Sequence, residues 1–168
     1  MRVGTDAVLL GVAAELTGVR EALEVGTGCG VIALILAQRC DCLIDALEID
    51  PDSASQASDN VSGSPWHDRI HVEHVSLQEF VKVSDKKYDL LISNPPFFTR
   101  SYKSECSRRN LSRHDDELSF DELMNASSML LEPHGTLWVI LPVRESSIFR
   151  SKAPAYGFFL YHRLLITP

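Results

Sequence analysis

With 168 residues, 45% of them hydrophobic, the chain can bury one globular core. No apolar run approaches the roughly 18 residues that a membrane span needs, and Asp6 interrupts the apolar start, which argues against a secretory signal. The net charge of −7 is unfavourable for a nucleic-acid partner over the surface as a whole.

The predicted elements alternate between short aliphatic runs and helical stretches. Asp50-Pro51 marks the start of one helix, with Asp50 as its N-cap. Helices are predicted at about 5–17, 30–39, from Asp50-Pro51 onward, 119–131 and 144–154, and strands at 21–25, 43–49, 69–75, 88–93, 136–142 and 158–166. This order predicts an α/β fold with a mostly parallel open sheet, helices on both faces and a ligand crevice at the carboxyl ends of the strands. No linker or repeat interrupts the pattern, so we expect one domain over residues 1–168.

The cysteines and histidines give no metal-binding pattern. Cysteines at positions 29, 40, 42 and 106 lack the paired spacing of a disulfide framework or a zinc site, which predicts free thiols. His71 and His74 would point to opposite faces of the strand predicted there, so they cannot share a metal ion. We therefore expect no metal.

Charge is distributed unevenly late in the chain. Residues 100–114 hold five Lys or Arg and one Glu, whereas residues 115–122 hold five acids and no base. On charge alone an ordinary solvated loop is the favoured interpretation. The alternative is a local phosphate-binding patch on an acidic body.

A glycine turn joins the first predicted strand to the next helix. Gly26, Gly28 and Gly30 permit positive φ and close approach of a ligand to the backbone. A dinucleotide-binding turn would carry its third glycine at Val31, and the GxGxG form after an acidic strand end is instead that of S-adenosylmethionine (SAM) methyltransferases. Glu48 closes the second strand, where an acid in this fold can accept both ribose hydroxyls. SAM is therefore favoured over NAD as the cofactor.

Asn94 and Pro95 end the fourth predicted strand, because proline cannot continue a sheet ladder. That strand should lie beside the first, so Asn94 would face the reactive sulfonium of the cofactor. The Asn94 side-chain oxygen and the Pro95 carbonyl can each accept a hydrogen bond from a conjugated amine, which orients it for attack. Phe97 would stack on a planar acceptor, whereas Phe98 is more simply explained as a core residue.

The stretches "EVGTGCG", "ALEID" and "SNPPFF" resemble class I SAM-dependent methyltransferases that modify exocyclic or amide nitrogens. The stretches "MRVGTDAVLLG" and "SRHDDELSFDELM" look like the bacterial tRNA adenine-N6 methyltransferase family, which modifies the purine next to the anticodon of a valine tRNA. The resemblance covers nearly the whole chain. It implies that Gly4-Thr5-Asp6 forms a loop over the methionine part of SAM, and that the basic 100–114 stretch helps to receive tRNA.

The site residues implied by this resemblance fall into three sets. The catalytic set is Asn94, Pro95 and Phe97. The cofactor set is Thr5, Asp6, Glu24, Gly26, Gly28, Gly30, Glu48, Ile49, Ser76, Leu77 and Asn94. The substrate set is Pro96, Phe98, Arg100, Arg113 and His114. Ser76 departs from the family, whose members often carry Asp or Asn there to hold the adenine amine.

The ends of the chain also depart from the family pattern. Family members usually carry a segment before "VGTD" and an antiparallel seventh strand after the sixth, so we expect a chain truncated at both ends. The leading hypothesis is a cytoplasmic tRNA adenine-N6 methyltransferase. Glutamine-amide methylation of release factors, guanine-N2 methylation of ribosomal RNA, and a SAM- or RNA-binding remnant without turnover stay open. An NAD-dependent dehydrogenase is the least favoured, and the oligomeric state is left open.

Overall fold

Five parallel strands form one sheet in the computed structural model, which describes residues 4–95 and 118–166. Their order across the sheet is β3-β2-β1-β4-β5. The strands are Glu21–Val25 (β1), Leu43–Glu48 (β2), Ile70–His74 (β3), Tyr88–Ser93 (β4) and Leu131–Val139 (β5). No antiparallel strand pairs with this sheet within the described residues, and the predicted parallel α/β fold is confirmed.

Helices cover both faces of the sheet, as predicted. They are Thr5–Ala13 (α1), Val31–Arg39 (α2), Pro51–Ser62 (α3), Leu77–Val83 (α4), Phe120–Leu130 (α5) and Val143–Lys152 (α6), and a short 3-10 helix spans Ala153–Tyr156. Successive strand residues point to opposite faces. In β1, Ala22 therefore joins the core under α1, α2 and α3, while Leu23 joins the core under α4, α5 and α6.

Local sequence signals explain where several helices begin. The Asp50 carboxylate accepts a hydrogen bond from the Ser53 backbone N–H at 2.9 Å, and Pro51 occupies the first helical position of α3. The predicted N-cap is thus confirmed. Helix α5 begins with a capping box, in which the Ser119 hydroxyl and the Glu122 carboxylate each accept from the other's backbone N–H.

The first helix is shorter than the predicted 5–17, because it ends at Ala13. Just beyond it, the Glu15 carboxylate accepts hydrogen bonds from the Leu16 and Thr17 backbone N–H groups and from the Thr17 hydroxyl. Side chains that bond to nearby backbone in this way compete with helical hydrogen bonds. Gly18 then adopts a φ of +79°, which a continuing helix cannot contain.

Two further predictions were wrong in the carboxyl-terminal third. The fifth strand covers Leu131–Val139 instead of 136–142, and the predicted sixth strand at 158–166 is absent. In place of that strand, the chain runs over the surface with Phe159 80% and Tyr161 90% exposed. The residues in this stretch have a high strand propensity, but propensity depends on context, and they do not pair with β5 although β5 is an edge strand.

Cys40 and Cys42 are joined by a disulfide, so the prediction of free thiols was wrong for this pair. Their Cα atoms lie 5.4 Å apart, within the range that a bridge spans. Cys29 is buried and free. Cys106 lies outside the described residues.

Strand register brings the carboxyl ends of β1, β2 and β4 together on one side of the sheet. Val25 at the end of β1 pairs with Leu47 of β2 on one side and with Ser93 of β4 on the other. The glycine turn, Glu48 and Asn94 follow these residues directly. Adjacent strands lie about 4.8 Å apart, so the three segments leave the sheet as neighbours.

Candidate functional site

The glycine turn between β1 and α2 has the backbone conformation that its sequence predicted. Gly26, Gly28 and Gly30 have φ values of +75°, +59° and +84°, in the left-handed region. The backbone N–H groups of Gly26 and Thr27 both donate to the Leu47 carbonyl at 2.9 Å. A Cβ built on Gly26 would meet nothing within 4 Å. The turn is therefore tied to the end of β2 and borders open space.

Glu24 is a buried acid directly beneath this turn. Its Oε2 accepts hydrogen bonds from the Thr27 hydroxyl at 2.7 Å and from the Ala33 backbone N–H at 2.9 Å. Its Oε1 is buried and has no hydrogen-bond partner among the described residues. These bonds join the end of β1, the glycine turn and the first turn of α2.

Burial raises the pKa of Glu24 to about 8, against the lowering effect of the bonds from Thr27 and Ala33; the nearby Glu48 charge raises it slightly further. The side chain is therefore protonated at neutral pH. Since Oε2 already accepts from two donors, the proton belongs on Oε1. That oxygen is a buried polar group without a partner, which is rare in folded proteins.

Glu48 lies at the end of β2 with its carboxylate held by backbone donors. Oε2 accepts from the Gly28 N–H at 2.7 Å and Oε1 accepts from the Asp50 N–H at 3.0 Å. A carboxylate has about four acceptor positions, so each oxygen keeps capacity for a ligand hydroxyl. Ile49, the next residue, has an exposed side chain. Both placements suit the cofactor roles predicted for these residues, which stay predictions.

Ser76 has a structural role at the start of α4. It is the N-cap of α4, where its hydroxyl accepts from the Glu79 backbone N–H at 3.2 Å and donates to the Glu79 carboxylate at 2.9 Å. Leu77 is buried in the core under α4, α5 and α6. The spacing of Ser76 and Glu79 is that of a capping box, so this helix had a sequence signal. The cofactor role of Ser76 and Leu77 stays a prediction.

Thr5 and Asp6 are exposed and form the first turn of α1, with Gly4 as the N-cap. The loop that the resemblance implied for Gly4-Thr5-Asp6 is therefore the beginning of a helix. Neither Gly4 of α1 nor Gly30 of α2 makes a side-chain cap, because glycine has no side chain.

Asn94 and Pro95 follow β4, as predicted, and Asn94 is half-buried whereas Pro95 is buried. Just before them the Ser93 hydroxyl donates to the Val25 carbonyl at 2.9 Å, and this bond joins the ends of β4 and β1. Asn94 makes no side-chain hydrogen bond that involves another residue in the ranges 4–95 and 118–166.

The remaining predicted residues lie outside the described part of the chain. This holds for the third catalytic residue, for the whole substrate set and for the basic 100–114 stretch. The residues concerned are Pro96, Phe97, Phe98, Arg100, Arg113 and His114.

Within the described residues, sequence reasoning missed two polar contributors to this edge of the sheet. Thr27 bonds to Glu24, and Ser93 braces the strand ends. A buried hydroxyl that bonds to a group in another segment has no distinctive spacing, so the sequence pattern gave no signal for either residue. The described residues contain no group of three or more side chains that could hold a metal ion. None of the helices that they form is long and apolar enough to cross a membrane.

Comparison with known proteins assigns this architecture. Residues 3–146 match the family model of the methyltransferase small domain. The chain belongs to that family. The predicted methyltransferase activity is thereby confirmed at the level of the family.

Curated relatives are similar to the chain over nearly its full length. A tRNA1(Val) (adenine(37)-N6)-methyltransferase of Phocaeicola vulgatus is 44% identical over 166 residues, which are 99% of this chain and 70% of that protein. A protein of the same name from Trichodesmium erythraeum is 44% identical over 171 residues, covering all of this chain and 72% of its own length. The resemblance drawn from the motifs is confirmed by these relatives.

Solved structures with low sequence identity share the fold alone. The precorrin-6y C5,15-methyltransferase of Geobacter metallireducens has a TM-score of 0.64 at 12% identity and matches 92% of this chain and 71% of its own. The StiE O-methyltransferase has a TM-score of 0.57 at 17% identity, and the chain spans 42% of its length. The fold is therefore that of a Rossmann-like methyltransferase.

Proposed function

We propose that the protein transfers a methyl group from SAM to the N6 amine of an adenine next to the anticodon of a tRNA. The observation that carries this proposal is the strand register, in which Val25 pairs with Ser93. It sets the glycine turn beside Asn94-Pro95, so a cofactor-binding segment and an acceptor-binding segment leave adjacent strands.

The residues around the glycine turn fit SAM. The positive φ values of Gly26, Gly28 and Gly30 and the open space at Gly26 leave room for close approach of a ligand to the backbone. The orphaned Oε1 of Glu24 supports the presence of a polar ligand or water above it. The Glu48 carboxylate supplies acceptors for a ribose diol. When bound, SAM supplies an electrophilic methyl group on a sulfonium.

Asn94 and Pro95 have the acceptor chemistry that an amine needs. The Asn94 side-chain oxygen and the Pro95 carbonyl would accept hydrogen bonds from the two N–H groups of the adenine amine. These bonds orient the nitrogen lone pair, which is otherwise delocalised into the ring. The proton becomes acidic once the nitrogen carries a methyl group, so no strong general base is required.

The tRNA substrate is supported by the two relatives at 44% identity, which carry the name tRNA1(Val) (adenine(37)-N6)-methyltransferase. The basic stretch at 100–114 supplies charge for the phosphate backbone, and Phe97 supplies a ring for an unstacked base. A tRNA substrate implies that the protein acts in the cytoplasm.

Cofactor and substrate are tested separately. Calorimetry with SAM and with NADH should give binding of SAM alone, and binding of NADH alone would refute the cofactor assignment. The protein is then incubated with labelled SAM and unmodified tRNA, and the nucleosides are analysed by mass spectrometry. We expect N6-methyladenosine at one adenine beside the anticodon.

The Phocaeicola vulgatus relative is the positive control for that assay. If the control is active while this protein binds SAM and forms no N6-methyladenosine, the tRNA proposal is wrong. Parallel reactions with a release factor and with ribosomal RNA then distinguish glutamine-amide and guanine-N2 methylation from a remnant without turnover.

A further inference from the structure

Arg39, the last residue of α2, fastens the end of α1. One guanidinium nitrogen, Nη1, donates to the Gly11 carbonyl at 2.7 Å and to the Ala14 carbonyl at 2.9 Å. Carbonyls in the last turn of a helix have no partner within the helix. A cation there also interacts favourably with the helix dipole. Arg39 therefore supplies hydrogen-bond donors from α2 to carbonyls at the end of α1.

The same contacts fix how the two helices lie relative to each other. A Cβ built on Gly11 would come within 3.1 Å of the Ile35 side chain, so the two backbones approach closely at this point. Gly11 thus lies beside Ile35, 24 positions later, and Ala14 lies beside Arg39, 25 positions later. The residue numbers of the contacting pairs increase in the same direction along both helices, so α1 and α2 run parallel.

Parallel packing brings the two helix starts to one level. Both helices rise about 1.5 Å per residue, so the offset at their ends also holds at their beginnings. An offset of 24 from Asp6 gives Gly30, the last glycine of the turn. This register sets the first turn of α1 at the level of the glycine turn, toward the carboxyl ends of the strands, where Glu48 and Asn94 are found.

Helix α1 otherwise packs on α2 through apolar residues. Ala7 and Leu10 lie in the core that α1 shares with α2, Gly11 is buried, and Val8 and Val12 are exposed. Within the described residues, the two bonds from Arg39 are the side-chain hydrogen bonds that join α1 to the remainder of the chain. The start of α2 is held independently, because its Ala33 N–H donates to buried Glu24.

We propose that Arg39 is a positioning residue for the cofactor, which acts by holding the first turn of α1, with Thr5 and Asp6, beside the glycine turn. The guanidinium bonds to the opposite end of the helix, at the Gly11 and Ala14 carbonyls, and would act through the position of α1. This inference rests on the proposed SAM site. It assigns a function in cofactor affinity to a surface arginine that no motif includes.

Arg69 provides a matched control. Its guanidinium also donates to backbone carbonyls at a helix end, with Nη2 bonded to Ala37 and Nη1 to Cys40, each at 2.7 Å. Those bonds close the end of α2 and leave α1 untouched. Arg39→Met and Arg69→Met each remove one set of arginine–carbonyl bonds and keep the aliphatic part of the side chain.

The test measures the Kd for SAM by calorimetry, the kcat at saturating SAM, and the unfolding free energy of each variant. Arg39→Met should raise the Kd about tenfold, with an unchanged kcat. Arg69→Met should leave the Kd within about twofold. Arg39→Lys, which keeps a donor for the same carbonyls, should recover part of the affinity. In a Thr5→Ala, Asp6→Ala background, Arg39→Met should change the Kd by less than about twofold, because the groups that it positions are gone.

Equal effects of Arg39→Met and Arg69→Met on the Kd would overturn the inference, since Arg39 would then stabilise the fold alone. The full effect of Arg39→Met in the Thr5→Ala, Asp6→Ala background would overturn it too. The wild-type protein is measured first. If it does not bind SAM, the proposed function and this inference fail together, whereas SAM binding with equal variant effects refutes the inference alone.

Discussion

Replacing Glu24 by Gln should remove a large part of the pH dependence of stability. Glu24 is fully buried at the end of β1, and burial raises its pKa from 4.5 to about 8. Glutamine has the same shape and its side-chain oxygen can accept the bonds from Thr27 and Ala33. It cannot ionise. The substitution therefore isolates the ionisation of this carboxyl group from its packing.

The magnitude follows from the difference between the pKa in the folded and unfolded chains. The folded state holds the proton more tightly, so the stabilising contribution is fully present below pH 4.5 and is lost as pH rises through about 8. One pKa unit corresponds to about 1.36 kcal/mol. The unfolding free energy should accordingly fall by roughly 5 kcal/mol over this window, which is a large part of the 5–15 kcal/mol typical of small domains.

Urea denaturation of the wild-type protein and of Glu24→Gln between pH 5 and pH 9 measures this effect. Groups common to both proteins cancel in the difference of their unfolding free energies. That difference should decline with pH and level off above about pH 8. Glu48→Gln should lower the pKa of folded Glu24, because the Glu48 charge opposes ionisation of Glu24, so the decline should level off at a lower pH and be smaller. A difference that stays constant across the range would refute the argument that burial keeps Glu24 protonated.

Three further substitutions test other parts of the site and the core. Asn94→Ala should reduce turnover about 100-fold or more, because the amine loses an orienting acceptor, with the SAM affinity by calorimetry within a few-fold; loss of SAM binding would instead make Asn94 structural. Gly30→Ala should lower the unfolding free energy by about 1–2 kcal/mol, because φ is +84° there although Ala57, 3.6 Å from the new Cβ, leaves room; wild-type stability in urea would contradict this. Tyr88→Phe removes the bond of 2.6 Å from the buried phenol to the Asp45 carboxylate, and urea denaturation should show a loss of about 1.5–3 kcal/mol, whereas a smaller loss would mean that water replaces the phenol.

Local signals made much of the fold predictable. The first four strands were predicted from aliphatic runs, and the start of α3 from Asp50-Pro51, because these features depend on residues next to each other in the chain. The fifth strand was predicted with the wrong bounds. Helix α4 was missed although Ser76 and Glu79 have capping-box spacing, since the seven-residue helix has little room for a periodic pattern. The strand predicted at 158–166 is wrong for the opposite reason. Its residues favour a strand, but this propensity depends on context and did not lead to pairing with β5.

The candidate site was predictable where it rests on backbone geometry. The positive φ of Gly26 and the placement of Asn94 after β4 follow from the glycine and proline positions. The burial of Glu24 and the bonds of Glu48 to the glycine turn were not predictable, because they depend on which strands become neighbours. The contact of Arg39 with α1 is likewise a property of two helices that are distant in sequence.

The bond between the Ser93 hydroxyl and the Val25 carbonyl has a consequence for motion. It adds a side-chain bond to the last residue pair of β4 and β1, at the point where the two strands end. The segments that follow, from Gly26 and from Asn94, begin at this pair. The pair fixes the register of β4 against β1, so the starts of the two segments cannot slide along each other. The spacing of β1 and β4 in the sheet therefore sets the distance between groups bound at Gly26 and groups bound at Asn94.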